Sequence, residues 1–424
     1  MKKRIAFTAA LAALMTFLSS CTRFSSADNI MELLSSPKLS KNESRIVQAI
    51  SDHLDRDIFL RYPKRETRPS PVQLVDLNGD GTNEAVALYS CPSLGGNARI
   101  AVLTANGEEW TVFRDNEGLG SEFYDIAFEP LEKDRDRKII VSYTFSDYGE
   151  KILTIYSLSD EGSLDTDAFN CQGYIVRDIT GDGVSDIVYA GVNANNQYTR
   201  LNIITNDPSI REDAVLSWEI PIPNSRVTNI AYTRTDYSPL GAIIIDYYDT
   251  FRMVYTQAFS RDENGLVERM PNNLVQKVWR ADYPLSGRDV DRDGYVETPT
   301  VIDTELARDS DVCFMEWTNF MKEEPVRKLF GVCDIANGIY YRLPEEWQDL
   351  VYVQRDDNGH LCVRRVDTDE EIIRFEILPP GEADAGENEV IVTKGMMRTR
   401  LSFDPSVSTI QKNYISTRFF SIKQ

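Results

Sequence analysis

Three short stretches of this chain set oxygen-bearing side chains at alternate positions and close on an acid. Asp76, Asn78, Asp80 and Glu84 hold positions one, three, five and nine of the first. Asp178, Thr180, Asp182 and Asp186 hold them in the second, and Asp289, Asp291, Asp293 and Glu297 in the third. Position six is glycine each time: Gly81, Gly183 and Gly294. A hard cation such as Ca²⁺ takes about six to eight oxygens at roughly 2.3–2.6 Å. A tightly turning loop brings alternate side chains to one point. The glycine permits the turn, residue seven (Thr82, Val184 or Tyr295) offers a backbone carbonyl, and the acid at nine closes the cage. One such stretch also reads as a metal-free turn. Three in the same context point to Ca²⁺ as the cofactor.

An EF-hand begins in the same way, but it needs a bidentate Glu at position twelve and a helix on each side. Position twelve here is Ala87, Tyr189 or Thr300. The residues after the acid are strand-like, Ala85–Tyr89 and Ile187–Tyr189. The loops therefore join strands. They resemble the calcium loops of FG-GAP and VCBS repeats in integrin-like β-propellers. The first and third copies match that pattern in full, whereas Thr180 departs from it in the second. The resemblance implies a blade-forming fold, with the second loop the weakest binder.

From 72 to 340 short apolar runs alternate with polar turns, the pattern of an all-β body. The loops begin 102 and then 111 residues apart. One four-stranded blade takes roughly 40–50 residues, so each interval holds two. A worn copy is then due midway. Tyr124–Phe128 and Ile139–Tyr143 flank a charged stretch in the first interval, and Asn229–Tyr232 and Ala242–Ile245 flank a polar turn in the second. Five blade-sized units result, alternate ones carrying a cation. The expected fold is mainly β, a propeller-like body of five to seven blades. Pro299 cannot donate in a central ladder, so its strand should start beyond it or lie at an edge. Residues 341–424, with a hairpin signal at Asp357-Asn-Gly359, read as a small C-terminal β or α+β module, or as blades that close a ring.

The N-terminus reads as an address. Lys2, Lys3 and Arg4 precede an apolar run from Ile5 to Leu18, too short for a membrane span. Leu18-Ser19-Ser20-Cys21 resembles a bacterial lipobox. That resemblance implies removal of 1–20, lipidation of Cys21, and anchorage on the outer face of the cytoplasmic membrane. Residues 21–71 then supply a Ser-rich tether and a helix. The helix starts at the capping-box pattern Ser40-Lys-Asn-Glu43 and sets Ile46, Val47, Ile50 and Leu54 on one face.

The formal charge of −21 argues against nucleic acid and anionic headgroups as partners. After Cys21, five cysteines remain, an odd number without a repeated spacing; one bridge such as Cys313–Cys333 is open, and buried free thiols are the expected state of most of them. The two histidines, His53 in the helix and His360 in a turn, offer no catalytic base with an orienting partner. No phosphate-binding loop follows a strand. A glycosidase needs only two acids, and in so acidic a chain their proximity says little. Tyr247-Tyr248-Asp249 and Trp317 offer either a sugar-stacking surface or core packing. The expected function is non-enzymatic: a monomeric, calcium-stabilised lipoprotein that binds a protein or a cell-envelope polymer. Glycan binding or hydrolysis is the alternative.

Overall fold

The computed structural model describes residues 40–422 apart from 66, 134–135, 145–149, 159–164, 192–197, 207–216, 237–240, 252, 263–264, 269–274, 278–284, 303, 320–325, 380–384, 395–396 and 418. The expected signal peptide, Cys21 and the tether lie outside the described residues. The chain enters through helix α1 (Lys41–Leu54). Ser40 Oγ accepts from the Glu43 amide at 3.1 Å, and Glu43 returns an oxygen to the Ser40 amide at 2.8 Å. Two orphan amides of the first turn are thereby satisfied. Asp55, in the left-handed region at φ 51°, ends the helix. Ile46 and Ile50 are buried, with Leu54 partly so, against Ala85, Ala87, Tyr89 and Leu103 of the first sheet.

Among the described residues the strands form five antiparallel sheets in chain order. Sheet 1 holds β1 (Phe59–Leu60), β2 (Val72–Val75), β3 (Glu84–Ser90), β4 (Ala98–Asn106) and β5 (Glu109–Glu117). Sheet 2 holds β6 (Glu122–Pro130), β7 (Arg137–Thr144), β8 (Lys151–Ser157), β9 (Asp165–Arg177), β10 (Asp186–Gly191), β11 (Arg200–Ile204) and β12 (Ser217–Glu219). Sheet 3 holds β13 (Arg226–Thr233), β14 (Ala242–Tyr248), β15 (Met253–Asp262), β16 (Gly265–Glu268) and β17 (Val275–Lys277). Sheet 4 starts with β18 (Glu297–Ile302), β19 (Val312–Asn319), β20 (Val326–Asp334) and β21 (Ile339–Leu343). Sheet 5 holds β22 (Val351–Arg355), β23 (Leu361–Arg365), β24 (Glu371–Ile377), β25 (Glu389–Lys394) and β26 (Met397–Phe403). After helix α2 (Thr409–Thr417), β27 (Phe419–Ser421) returns to pair with β21 and completes sheet 4.

Sheet 2 is two blade-sized units that share one long strand. The first part of β9, Asp165–Cys171, pairs with β8, and the second, Cys171–Arg177, pairs with β10. Side chains alternate across a strand, so each unit has two faces. Ile139 and Val141 of β7 pack with Val86, Leu88 and Val102 of sheet 1. Ile140 between them packs with Leu153, Tyr174 and Ile187, joining the two halves of sheet 2. Val188 and Leu201 of the second half then meet Ile230, Ile243 and Ile245 of sheet 3. Strands buried on both faces read as continuous apolar runs, which is why Ile139-Ile140-Val141 shows no alternation.

The stack continues to sheets 4 and 5. Ile244 and Ala258 of sheet 3 touch Val296 in the approach to β18. Phe314, Phe330 and Val332 of sheet 4 share one core with Val353, Val363, Phe375 and Leu401 of sheet 5. The fold is thus mainly β and propeller-like, six blade-sized units in chain order. β21 runs across residue 340, so sheet 4 draws strands from both sides of the expected module boundary. Pro299 lies inside β18, opposite Trp317, and the strand does not wait until after it. It is tolerated because β18 is an edge strand with β19 on one side.

Candidate metal centres

The three acid loops occupy one topological position. The first joins β2 to β3 and the second joins β9 to β10. The third leads into β18, and its ends are closed by an Arg288–Glu297 bridge. The first two follow a strand of their own unit, whereas in the third the single Arg288–Glu297 bridge stands where that preceding strand would be. The two worn copies fall in the same place, between β6 and β7 and between β13 and β14. Neighbouring units hold the acid loops by their backbones. The Ser185 amide donates to the Pro130 carbonyl at 3.0 Å, and the Val296 amide to Thr233 Oγ1 at 2.8 Å. The Arg137 amide donates to the Leu77 carbonyl at 2.7 Å.

The three backbones repeat each other. Position four has φ 71° at Gly79, 81° at Gly181 and 65° at Arg292, and position six has 89°, 88° and 88° at Gly81, Gly183 and Gly294. That left-handed region suits glycine and strains other residues, so Arg292 is the costly member. The hydrogen bonds repeat as well. The position-two amide donates to the acid at nine: Leu77 to Glu84 at 2.8 Å, Ile179 to Asp186 at 2.9 Å, Val290 to Glu297 at 3.0 Å. The glycine at six donates to the Asp at one, at 2.9, 2.9 and 3.0 Å. The amide at seven donates to the Asp at five, at 2.7, 2.9 and 2.9 Å. At least one oxygen of each carboxylate thus ties the loop, and Asp178 and Asp289 use both, Asp178 Oδ1 accepting from the Gly181 amide at 2.6 Å and Asp289 Oδ1 from the Arg292 amide at 2.5 Å. The amide at five also donates to Asn78 at 3.0 Å and Asp291 at 3.3 Å. Among the described residues Thr180 makes no matching contact with the Asp182 amide.

Charge accumulates around these carboxylates. Glu84, Asp186 and Glu297 are buried. Burial raises all three carboxyls above the usual range, against the pull of the position-two amides. Glu297 is pushed up to about 7, with the Asp291 and Asp293 charges adding to the effect of burial. One oxygen each from Asp289, Asp291 and Glu297 lies within 4.8 Å of the others. That spacing suits one shared hard cation, since oxygens at roughly 2.3–2.6 Å on opposite sides of an ion are about 5 Å apart. In the first loop, Asp76 Oδ1 is buried and has no hydrogen-bond partner. A bound cation would answer that orphaned oxygen.

Two lysines that the spacing alone did not reveal meet the aspartates at position five. Lys328 Nζ of β20 is 2.8 Å from Asp293 Oδ2, and Lys133 Nζ, from the first worn copy, is 3.5 Å from Asp182 Oδ2. The Asp293 contact raises the Lys328 ammonium above its ordinary value. Burial opposes ionisation of Asp293, but the Lys328 contact and the Tyr295 amide hold it below the usual range. The Arg234 guanidinium, from the second worn copy, lies against Gly294.

The residues set aside for other chemistry are dispersed. His53 is exposed near the end of α1. His360 Nδ1 lies 3.2 Å from Asp356 Oδ2 within its own turn. Tyr247 and Trp317, 2% and 1% exposed, belong to core clusters and offer no face to a sugar. Of the two readings, a sugar-stacking surface or core packing, core packing is the one that holds for these two residues. No helix among the described residues is long and apolar enough to cross a membrane.

No protein-family model and no curated protein matches this sequence. Among solved structures, one described as "Structure of Dos1 propeller" is similar at 8% identity. The match covers 82% of each chain with a TM-score of 0.31. At that score the likeness carries no functional argument.

Proposed function

We propose that this protein is a calcium-stabilised, non-enzymatic binding lipoprotein of the VCBS and FG-GAP type. Lipid on Cys21 would hold it at the outer face of the cytoplasmic membrane, and its partner would be a protein or a cell-envelope polymer. The observation that carries the calcium assignment is the repetition of one loop, backbone and oxygen set together, at three equivalent positions. Asp76, Asn78, Asp80, the Thr82 carbonyl and Glu84 would ligate the first ion. Asp178, Thr180, Asp182, the Val184 carbonyl and Asp186 would hold the second, and Asp289, Asp291, Asp293, the Tyr295 carbonyl and Glu297 the third. The ion would neutralise acids that are now held together without a full complement of positive charge, and so stabilise the rim of the stack. Titration calorimetry with Ca²⁺ tests this directly. The expected result is three sites with dissociation constants around 10⁻⁴–10⁻³ M, the range of extracellular calcium modules. A melting temperature indifferent to both Ca²⁺ and chelator would reduce the loops to turns. The anchor is tested by membrane fractionation of wild type and Cys21→Ser, which should differ.

A further inference from the structure

We propose that Cys313 and Cys333 are a redox pair that closes to a cross-strand disulfide by exchange with a small-molecule disulfide. Cys313 of β19 and Cys333 of β20 stand directly opposite in the antiparallel register. Such opposed residues have Cα atoms about 4.5–5.5 Å apart, inside the roughly 4.4–6.8 Å that a disulfide spans. Both thiols are free and buried in the same cluster, between Met315 and Leu329. The Cys333 thiol, donating toward the Cys313 sulfur and then buried, is raised well above its ordinary value. Cys91, Cys171 and Cys362 lie in or beside three other sheets and have no cysteine opposite them in the paired strands. Forming the bridge thus demands no change of strand register.

Access distinguishes the two thiols. Cys313 lines a cleft of about 230 Å³ beside the connection from β18 to β19, along with Ile302, Ala307, Arg308 and Ser310. Cys333 does not line it and is fully buried. Cys313, as thiolate, attacks the incoming disulfide, forms a mixed disulfide and releases one thiolate. Cys333 then loses its proton and attacks the Cys313 sulfur, releasing the second thiolate. Two protein thiols lose two electrons and two protons, and the small disulfide becomes two thiols. Nothing else is consumed.

The test uses the intact folded protein with oxidised glutathione, followed by acid quenching and mass spectrometry without reductant. The expected product has lost two hydrogens, carries one 313–333 cross-linked peptide, and melts several degrees higher than the reduced form. Cys333→Ser should trap glutathione on Cys313, and Cys313→Ser should leave Cys333 unmodified. Cys313 and Cys333 that both alkylate after unfolding of the treated wild type would overturn the pair. So would a bridge from either one to Cys91, Cys171 or Cys362. An adduct on Cys333 in Cys313→Ser, with none on Cys313 in Cys333→Ser, would overturn the order of attack.

Discussion

Lys328 and Asp293 meet at 2.8 Å, and that contact sets how the third loop should treat a cation. If Ca²⁺ takes Asp293 Oδ2, the ammonium must leave. Lys328→Ala should then raise affinity at the third loop by about two- to fivefold, the equivalent of a partly exposed ion pair of ~0.3–1 kcal/mol. Calorimetric titration reads this, and a fall in affinity would mean that the lysine helps build the site. Asp80→Ala removes the position-five ligand of the first loop, where no lysine competes among the described residues, and should delete one site outright. A second residue acts at the joint between sheets 3 and 4. Buried Asp246 accepts from the Gly287 amide at 2.6 Å, Thr256 Oγ1 at 2.6 Å and Asn229 Nδ2 at 3.0 Å. Asn cannot accept from all three, so Asp246→Asn should cost about 1–3 kcal/mol. Burial raises the Asp246 carboxyl above its ordinary range. Its contribution is therefore full below the unfolded value and is lost as pH rises through the raised one. The stability gap between wild type and Asp246→Asn should widen as pH falls from neutrality toward the ordinary carboxyl value; thermal melts showing it constant or narrowing would contradict this. The repeated loop geometry was legible in the sequence because each set of acids lies within nine consecutive residues. Lys133, Lys328 and Asp246 were not, because their partners arrive from other strands.

Elements were legible where one face is dry and the period is regular. The helix is an example: Ser40 and Glu43 mark its start, and Ile46, Ile50 and Leu54 recur on its inner face. Ile50→Ala should leave a cavity against Ala85 and Tyr89 and cost about 2–5 kcal/mol, whereas Ser40→Ala should cost about 1 kcal/mol. Denaturant titration separates them, and equal small losses would mean that α1 is only loosely docked. The worn copies were also readable, because β6–β7 and β13–β14 keep the strand–turn–strand texture after losing the acids. Shared use of β9 was not. A thirteen-residue strand that serves two units looks in sequence like one long strand, and which half pairs with which neighbour is settled by packing. Pro299 left two readings open, a later start or an edge, and the edge holds; which of them applies is a property of the sheet, which the residue itself does not announce.

At the scale of the molecule, spacing indicates how many units there are but not how the row ends. Sheet 1 turns its remaining face to α1. Sheet 5 turns its remaining face to ion pairs, Arg374–Glu371 and Arg400–Glu376 at 2.8 Å and Arg364–Glu371 at 3.2 Å. Among the described residues no apolar cluster joins sheet 5 to sheet 1. A stack of units needs polar or covered ends to avoid adding further copies, and these two devices supply them. The C-terminal segment is then a terminal unit with its own outer face, and deletion of 341–424 becomes informative. The cut removes sheet 5, most of β21, and β27, the strand that closes sheet 4. It bares Phe314, Phe330 and Val332, which now face Val353, Val363 and Phe375. Baring three such side chains costs on the order of 1.5–3 kcal/mol each, a large part of the 5–15 kcal/mol typical of a domain. Sheet 4 should therefore lose its order, and the third loop with it, since Glu297 begins β18 and Lys328 lies in β20. The first two loops rest on sheets 1 to 3 and should survive. Calorimetric stoichiometry is expected to fall from three to two, with a broadened melt and self-association. A monomeric fragment that kept all three sites would show instead that 341–424 folds apart from the stack.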